Sequence, residues 1–243
     1  MMSSSNRRNP IHMNLDEIRT NIDIVDNKIK QLFIERMNLA GQVASAKLQT
    51  GDSIYKPDRE QIVINNRSVD VDKNILNNYV AFLKKTMLVS REYQYSLTAQ
   101  ANEVKVYDNT LDIVNDNSCR VTVNAVSSDV FFDKLKELKS SSLFVTGFDR
   151  NNKNEFVLET NNSLTTVSSP SSVLLIVDDA NYFELIGGIL SITADYNAKT
   201  TYISTSNNGC IIELNANIFN KDINSMLYML LSEYNNISII GSY

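Results

Sequence analysis

The sequence contains few of the residues on which most enzymes depend for catalysis. Its 243 residues include no tryptophan, two cysteines and one histidine. Cys119 and Cys210 lie outside any CxxC spacing, which indicates reduced packing residues rather than a disulfide framework or a zinc site. His12 lies in a polar segment, where a histidine is more often solvated than catalytic. Histidine-dependent triads and most metal chemistry are therefore not expected.

Long apolar runs and an excess of basic charge are also absent. No segment approaches the roughly 20 apolar residues that cross a bilayer, and residues 1–13 lack the apolar centre of a signal peptide. We expect residues 1–13 to form a disordered tail and the protein to stay in the cytoplasm. The net charge of -5 argues against a nucleic-acid groove or an anionic membrane as partner. A hydrophobic content of 43% permits a proper core, divided between two modest domains.

Residues 18–47 predict one long helix with an apolar seam. The seam residues alternate four and three apart, as in a coiled coil: Ile18, Ile22, Val25, Ile29, Leu32, Leu39, Val43 and Ala46. Asn14 is suited to cap this helix. A helix from Asn14 to about Leu48 would be about 50 Å long, which exceeds the width of a small domain. We therefore expect helices of a second chain to cover the seam.

Arg36 interrupts the seam, and Lys47 follows eleven residues later. Eleven residues rotate a helix to within roughly 20° of three whole turns, so both cations face one side of the helix. They lie about 16 Å apart along its axis. Burying an unpaired guanidinium costs several kcal/mol, so Arg36 needs an anion. It either reaches the surface or a glutamate of a neighbouring helix, or it forms with Lys47 a pocket for a small polyanionic ligand. Spacing alone favours neither alternative.

Two further helices are predicted before residue 102. Gly51 breaks the first helix and Pro57 opens the second, which continues to about residue 68 and carries Arg59 and Glu60 in its first turn. The third helix is predicted from about residue 73 to residue 101.

Ser90 and Gln94 lie four residues apart in that third helix. Residues with this spacing share one face of a helix, a turn from each other. Both polar side chains should therefore point the same way.

After residue 101 the sequence changes to short β-rich runs. These are VKVYD, CRVTVNAV, SLFVTGF and NEFVLET, with the helical segment DVFFDKLKELK between the second and third. The Ser/Thr/Asn-rich stretch NNSLTTVSSPSS indicates a loop or linker. Residues 171–243 then alternate strand, helix, strand, strand, helix, strand, which predicts an antiparallel sheet with two helices on one face. The fold class is therefore α+β multidomain, with an all-α N-terminal domain at residues 14–101.

Four phrases in residues 14–101 carry a family resemblance: LDEIRTNIDIVD, LFIERMNLAGQVASAK, IYKPDRE and SREYQ. With these phrases the region closely resembles the all-helical class of chorismate mutase, as fused to prephenate dehydratase in phenylalanine biosynthesis. The resemblance implies a cofactor-free isomerase that converts chorismate to prephenate. It also implies an intertwined homodimer of three-helix chains.

The resemblance also implies a set of substrate-binding residues: Arg19 from the partner chain, Arg36, Lys47, Lys56, Arg59, Glu60, Ser90 and Gln94. Arg36 and Arg19 would each bind a substrate carboxylate. Lys47 and Gln94 would donate hydrogen bonds to the ether oxygen, where negative charge develops. Glu60 would accept a hydrogen bond from the ring hydroxyl. Arg36, Lys47, Glu60 and Gln94 are the expected catalytic residues.

Lys56 departs from the family pattern, because that position is usually acidic. The family uses this turn partly through its backbone, so we expect activity with weakened substrate affinity. A non-catalytic sensor of a carboxylate metabolite, built on the same helices, is the alternative that this departure favours.

Residues 171–243 resemble an ACT domain, the amino-acid-sensing module at the end of prephenate dehydratases. The phrases ANYFEL and ISTSN replace the family's ligand motifs, so a phenylalanine sensor and a dimerisation module without ligand both stay open.

Residues 102–170 are too short for a dehydratase domain, and they lack its Thr-Arg-Phe signature. This segment is either a shrunken remnant or a small βαββ unit that packs on the ACT-like domain. A bifunctional mutase and dehydratase is therefore not expected.

Overall fold

A computed structural model describes residues 14–101, 119–124, 128–152 and 155–243. The predicted tail at residues 1–13, with His12, and the predicted strand VKVYD lie outside these residues. Within them, the fold is a helical region followed by an α+β region.

The three predicted N-terminal helices are confirmed. They are α1 (Leu15–Thr50), α2 (Pro57–Arg67) and α3 (Leu76–Ala101). Asn14 and Glu17 form a reciprocal capping box at the start of α1, which satisfies free backbone donors there. Gly51 ends α1 in the left-handed conformation with φ of 70°, which glycine adopts without strain. The third helix begins three residues later than predicted, because residues 73–75 form a turn.

The apolar seam of α1 is exposed in the single chain. The large seam side chains range from 38% exposed at Ile18 to 65% exposed at Leu32. Only Ala40 and Ala44 of α1 are buried, where the helix packs against α3. Exposed apolar residues in such number are typical of an interaction surface.

The second part of the chain forms one seven-stranded sheet. Its strands are β1 (Cys119–Asn124), β2 (Phe144–Asn152), β3 (Glu155–Asn161), β4 (Ser172–Val177), β5 (Lys199–Ser206), β6 (Gly209–Asn215) and β7 (Ile237–Ser242). The helices are α4 (Ser128–Ser140), α5 (Tyr182–Asp195) and α6 (Lys221–Glu233). The strand order is β1-β3-β2-β7-β4-β6-β5. All neighbours pair antiparallel except β2 and β7, which are parallel.

Helices cover both faces of this sheet. Leu175 and Ile212 point to the face that packs against α5 and α6. Leu174 and Ile211 point to the opposite face, where α4 packs its phenylalanine and leucine side chains. Two helices on one face were predicted, whereas coverage of the other face by α4 was not. The sheet is continuous across residue 170, because β2 pairs with β7.

Helix α3 joins the helical region to the sheet region. It packs against α6, and Tyr95 of α3 is buried in the same apolar cluster as α5 and α6. The Tyr95 ring meets the Tyr228 ring edge-on, with centroids 5.7 Å apart. Among the helices that the structure describes, none is long and apolar enough to cross a membrane.

Candidate active site

Arg36 of α1 points at α3 rather than at solvent. Its Nη1 atom donates to the carbonyl oxygen of Thr86 at 3.0 Å and to the hydroxyl oxygen of Ser90. Ala40 and Ala44 lie one and two turns later on α1, and their small side chains let the two helices approach closely. Burial lowers the pKa of Arg36, and nearby Glu60 partly opposes that effect.

Ser90 and Gln94, which their spacing places on one face of α3, are both buried. The Nε2 atom of Gln94 donates to the backbone oxygen of Ser90 at 3.2 Å. Its Oε1 atom is buried and has no hydrogen-bond partner within the described residues. Leaving a buried polar atom unpaired costs about 1–3 kcal/mol. The Oε1 atom of Gln94 can therefore accept a hydrogen bond from a ligand that enters here, and Nε2 has a second hydrogen to donate.

Lys47 lies in the last turn of α1, half-buried. Its Nζ atom donates to the backbone oxygen of Ile54 at 2.7 Å, which folds the loop after α1 back over the helix. The pKa of Lys47 is lowered, mainly by burial and also by Lys56, while Asp52 and Glu60 act in the opposite direction. Lys47 also lines a cavity of about 380 Å³.

Glu60 of α2 is the acidic group of the cluster. It acts electrostatically on both Arg36 and Lys47. Asp52 and Lys56 beside Lys47 offset each other, and the two cations Arg36 and Lys47 then outnumber Glu60, so this part of the site keeps a positive balance. The arrangement therefore suits an anion, and the buried amide of Gln94 adds a neutral hydrogen-bonding group.

Three of the expected site residues are not drawn into this cluster. The ammonium of Lys56 bonds the carboxylate of Asp52 at the surface. Arg59 is exposed on α2. Arg19 is exposed and pairs with Asp16 at 3.2 Å. Seventeen residues separate Arg19 from Arg36, about 26 Å along α1, so Arg19 does not reach the cluster of its own chain.

Sequence reasoning missed Arg91, the partner of Glu60. Its Nη1 atom bonds Glu60, and its Nε and Nη2 atoms donate to Glu233 of α6 at 2.8 and 3.2 Å. Its guanidinium lies 4.5 Å from the centre of the Tyr55 ring. Arg91 stands next to Ser90 in the phrase SREYQ, which could have pointed to it. Glu233 lies 142 residues away, and no sequence signal links the two.

A second acidic group, Glu92, lies on the other side of α3, where the two parts of the chain meet. Burial and neighbouring Asp195 raise the pKa of Glu92 to about 7, against the opposing effects of Lys85 and Arg91. The Oε1 atom of Glu92 is buried and accepts no hydrogen bond from the residues described. Lys85 pairs with Asp195. Near neutral pH, Glu92 is thus partly protonated.

Glu92→Gln is expected to stabilise the protein at alkaline pH. A carboxyl with a raised pKa in the folded state destabilises folding as the pH rises from about 4.5 to about 7. Glutamine removes that penalty. Allowing for partial exposure, we expect a gain of about 1–2 kcal/mol at pH 8 and little change at pH 4, measured by denaturant unfolding. The exposed Glu137→Gln serves as control, and a gain independent of pH would contradict the assignment.

The family comparison matches the helical region, and two named relatives match stretches of similar length. Residues 18–95 match the family model described as chorismate mutase type II. A stretch of 66 residues is 42% identical to the protein named chorismate mutase from Methanocaldococcus jannaschii, covering 25% of this chain and 67% of that protein. A stretch of 59 residues is 37% identical to the protein named T-protein from Haemophilus influenzae, covering 24% of this chain but only 16% of that protein. No solved structure gives a significant match.

Proposed function

The chain belongs to the type II chorismate mutase family through residues 18–95, and from that premise we propose that it converts chorismate to prephenate. The observation that carries the proposal is that the half-buried cations Arg36 and Lys47 both interact electrostatically with Glu60. Arg36 also bonds Ser90, one turn before the buried Gln94. Chorismate carries two carboxylates, a ring hydroxyl and an enolpyruvyl ether. One carboxylate, the ring hydroxyl and the ether oxygen each have a complementary side chain in this chain, and the second carboxylate needs a further cation.

The reaction is a unimolecular rearrangement in which an ether C–O bond breaks as a C–C bond forms. It needs no nucleophile, proton transfer or cofactor. Arg36 holds a substrate carboxylate through its guanidinium fork and so helps fold the side chain over the ring. Lys47 and Gln94 donate to the ether oxygen as negative charge develops there. Glu60 accepts a hydrogen bond from the ring hydroxyl, and Ser90 helps orient a carboxylate.

We propose that a second copy of the chain covers the exposed seam of α1 and supplies Arg19 to the site. The exposed apolar side chains of α1 support this assembly, because a single chain leaves them in water. The length of α1 also supports it, since Arg19 lies too far along the helix to serve its own pocket. Lys56 and Arg59 are exposed. Lys56 is expected to weaken substrate affinity, and Arg59 to hold the local network around Glu60.

Mixing two inactive variants tests both the reaction and the shared site. Each proposed pocket takes Lys47 from one chain and Arg19 from the other. Arg19→Ala and Lys47→Ala therefore remove groups that two different chains bring to one pocket. Random pairing of equal amounts makes about half of the dimers mixed, each with one intact site, so about a quarter of wild-type chorismate conversion should return. Lys47→Ala mixed with Arg36→Ala is the matched control, because both changes fall in the same chain's contribution. Recovery in neither mixture, with mixed dimers present, would contradict the shared site.

Gln94→Glu is expected to confine activity to acidic pH. Burial raises the pKa of the introduced carboxyl. Its protonated form donates to the ether oxygen, whereas its ionised form repels the developing negative charge. The pH profile of kcat should therefore fall as the carboxyl ionises, while the wild type and the exposed control Gln31→Glu keep a flat profile. A flat profile for Gln94→Glu would count against this role.

For the C-terminal region we propose an ACT-like module at residues 171–243. The order β4-α5-β5-β6-α6-β7 and the antiparallel strand order β7-β4-β6-β5 support it. Its role is either to sense an aromatic amino acid such as phenylalanine or to hold chains together. If phenylalanine slows chorismate conversion, the module senses it. If titration with phenylalanine gives no heat of binding in calorimetry, dimerisation is the role that remains. We also expect prephenate to accumulate without phenylpyruvate, and the protein to act in the cytoplasm in aromatic amino acid biosynthesis.

A further inference from the structure

Arg91 connects the candidate active site with the last helix of the chain. Its side chain is only 12% exposed, and that of Glu233 is 2% exposed. A guanidinium buried to this extent requires anionic partners, since breaking such a pair leaves an uncompensated charge. Arg91 has two, Glu60 on α2 and Glu233 on α6.

The geometry of the three groups fixes the guanidinium. Glu233 takes the Nε and Nη2 edge with both carboxylate oxygens, and the Tyr55 ring lies against the guanidinium face. With that edge and that face held, Nη1 points at Oε1 of Glu60 and bonds it. Lysine cannot reproduce this arrangement, because its ammonium is a single point of charge without a planar fork.

Glu60 also interacts with two cations other than Arg91. It acts electrostatically on Arg36 and Lys47, the two cations assigned to the substrate. If Glu60 turned toward them, it would neutralise charge that the substrate carboxylates require. The bond from Arg91 to Oε1 opposes that turn and leaves Oε2 for a substrate hydroxyl.

We infer that Arg91 is a positioning residue for the mutase reaction and that Glu233, outside the family-matched region, sets its orientation. The inference rests on the proposed function. It makes α6, which belongs to the sheet region, part of the support of the active site. A separated helical region would therefore bind chorismate less well than the whole chain.

Glu233→Gln tests this inference in the full chain with chorismate as substrate. Loss of one charge-assisted pairing should lower kcat/KM roughly tenfold, mainly through KM, because a guanidinium that Glu233 no longer orients shifts and moves Glu60 out of the position that receives the substrate. Arg91→Lys should do the same, since it keeps the charge and loses the fork. In a Glu60→Gln background, Glu233→Gln should have little further effect. A structural role alone would lower activity equally in both backgrounds.

Lys85→Gln is the matched control, because the Lys85–Asp195 pair also joins α3 to the sheet region and Lys85 bonds neither Glu60 nor Arg91, although it lines the same cavity as both. It should leave kcat/KM unchanged. Circular dichroism on each variant verifies folding, and Arg91→Lys decides the matter if Glu233→Gln does not fold. If Glu233→Gln and Arg91→Lys kept a normal KM while the wild type was active, the inference would be wrong and the proposed function would stand. An inactive wild type would overturn the proposed function and this inference with it.

Discussion

Lys47→Ala should lower kcat for chorismate by about 10²–10³-fold, the usual effect of removing one donor from a developing oxyanion. The ammonium is half-buried beside the Ile54 carbonyl, and burial lowers its pKa. A charge in such surroundings interacts with the ether oxygen more strongly than it would in water. Steady-state kinetics on the purified variant measures the loss.

The fold should survive this change. Lys47 lines an open cavity, so alanine removes no packed core side chain. Its one hydrogen bond, to Ile54, anchors a surface loop. Lys30→Ala on the exposed surface of the same helix is the control and should keep wild-type kinetics. Near-normal turnover by Lys47→Ala would remove Lys47 from the mechanism.

Arg36→Ala should reduce kcat/KM by about 10²–10³-fold, with a marked rise in KM. The side chain holds a substrate carboxylate both before and during the reaction, so its loss weakens binding as well as catalysis. Arg36→Lys should recover only part of the loss, because an ammonium cannot make two parallel hydrogen bonds to a carboxylate. Kinetics of both variants, set beside their unfolding curves, separate the two effects.

Stability should fall modestly in Arg36→Ala, by about 1–2 kcal/mol, because the bonds to the Thr86 carbonyl and the Ser90 hydroxyl disappear. The unfolding curves report that loss. If Arg36 merely tied α1 to α3, stability would fall while kcat/KM stayed near the wild-type value. Such a result would support the structural alternative that the sequence left open.

The helical region was predictable because its signals are local. Asn14 with Glu17, Gly51 and Pro57 lie at the ends of their own helices, and each acts through backbone geometry within one turn. The four-residue spacing of Ser90 and Gln94 places both on one face without any tertiary information. The family resemblance then supplied roles for these residues.

The contacts of the site with the rest of the chain were not predictable. The pairing of Arg91 with Glu233 spans 142 residues, and it depends on how α3 packs against α6. Neither helix carries a local signal for the other. The burial of Glu92 beside Asp195 has the same origin.

The second sheet face shows a similar limit. The segment around Phe131 and Phe132 has a clear helical period, but periodicity does not tell which surface a helix covers. The parallel pairing of β2 with β7 fixes that placement, and a strand pairing between residues 96 apart leaves no mark in a single sequence. Local patterns therefore predict the helices and strands, whereas long-range strand pairing determines how they are arranged.

Conversion of chorismate by the purified full chain tests the central claim most directly. The loss of chorismate absorbance is followed in time and the product is identified by proton NMR. The cluster of Arg36, Lys47, Glu60 and Gln94 predicts conversion far above the uncatalysed rate, with prephenate as the product. Binding of chorismate without conversion would contradict the account and would indicate a carboxylate sensor built on the mutase fold.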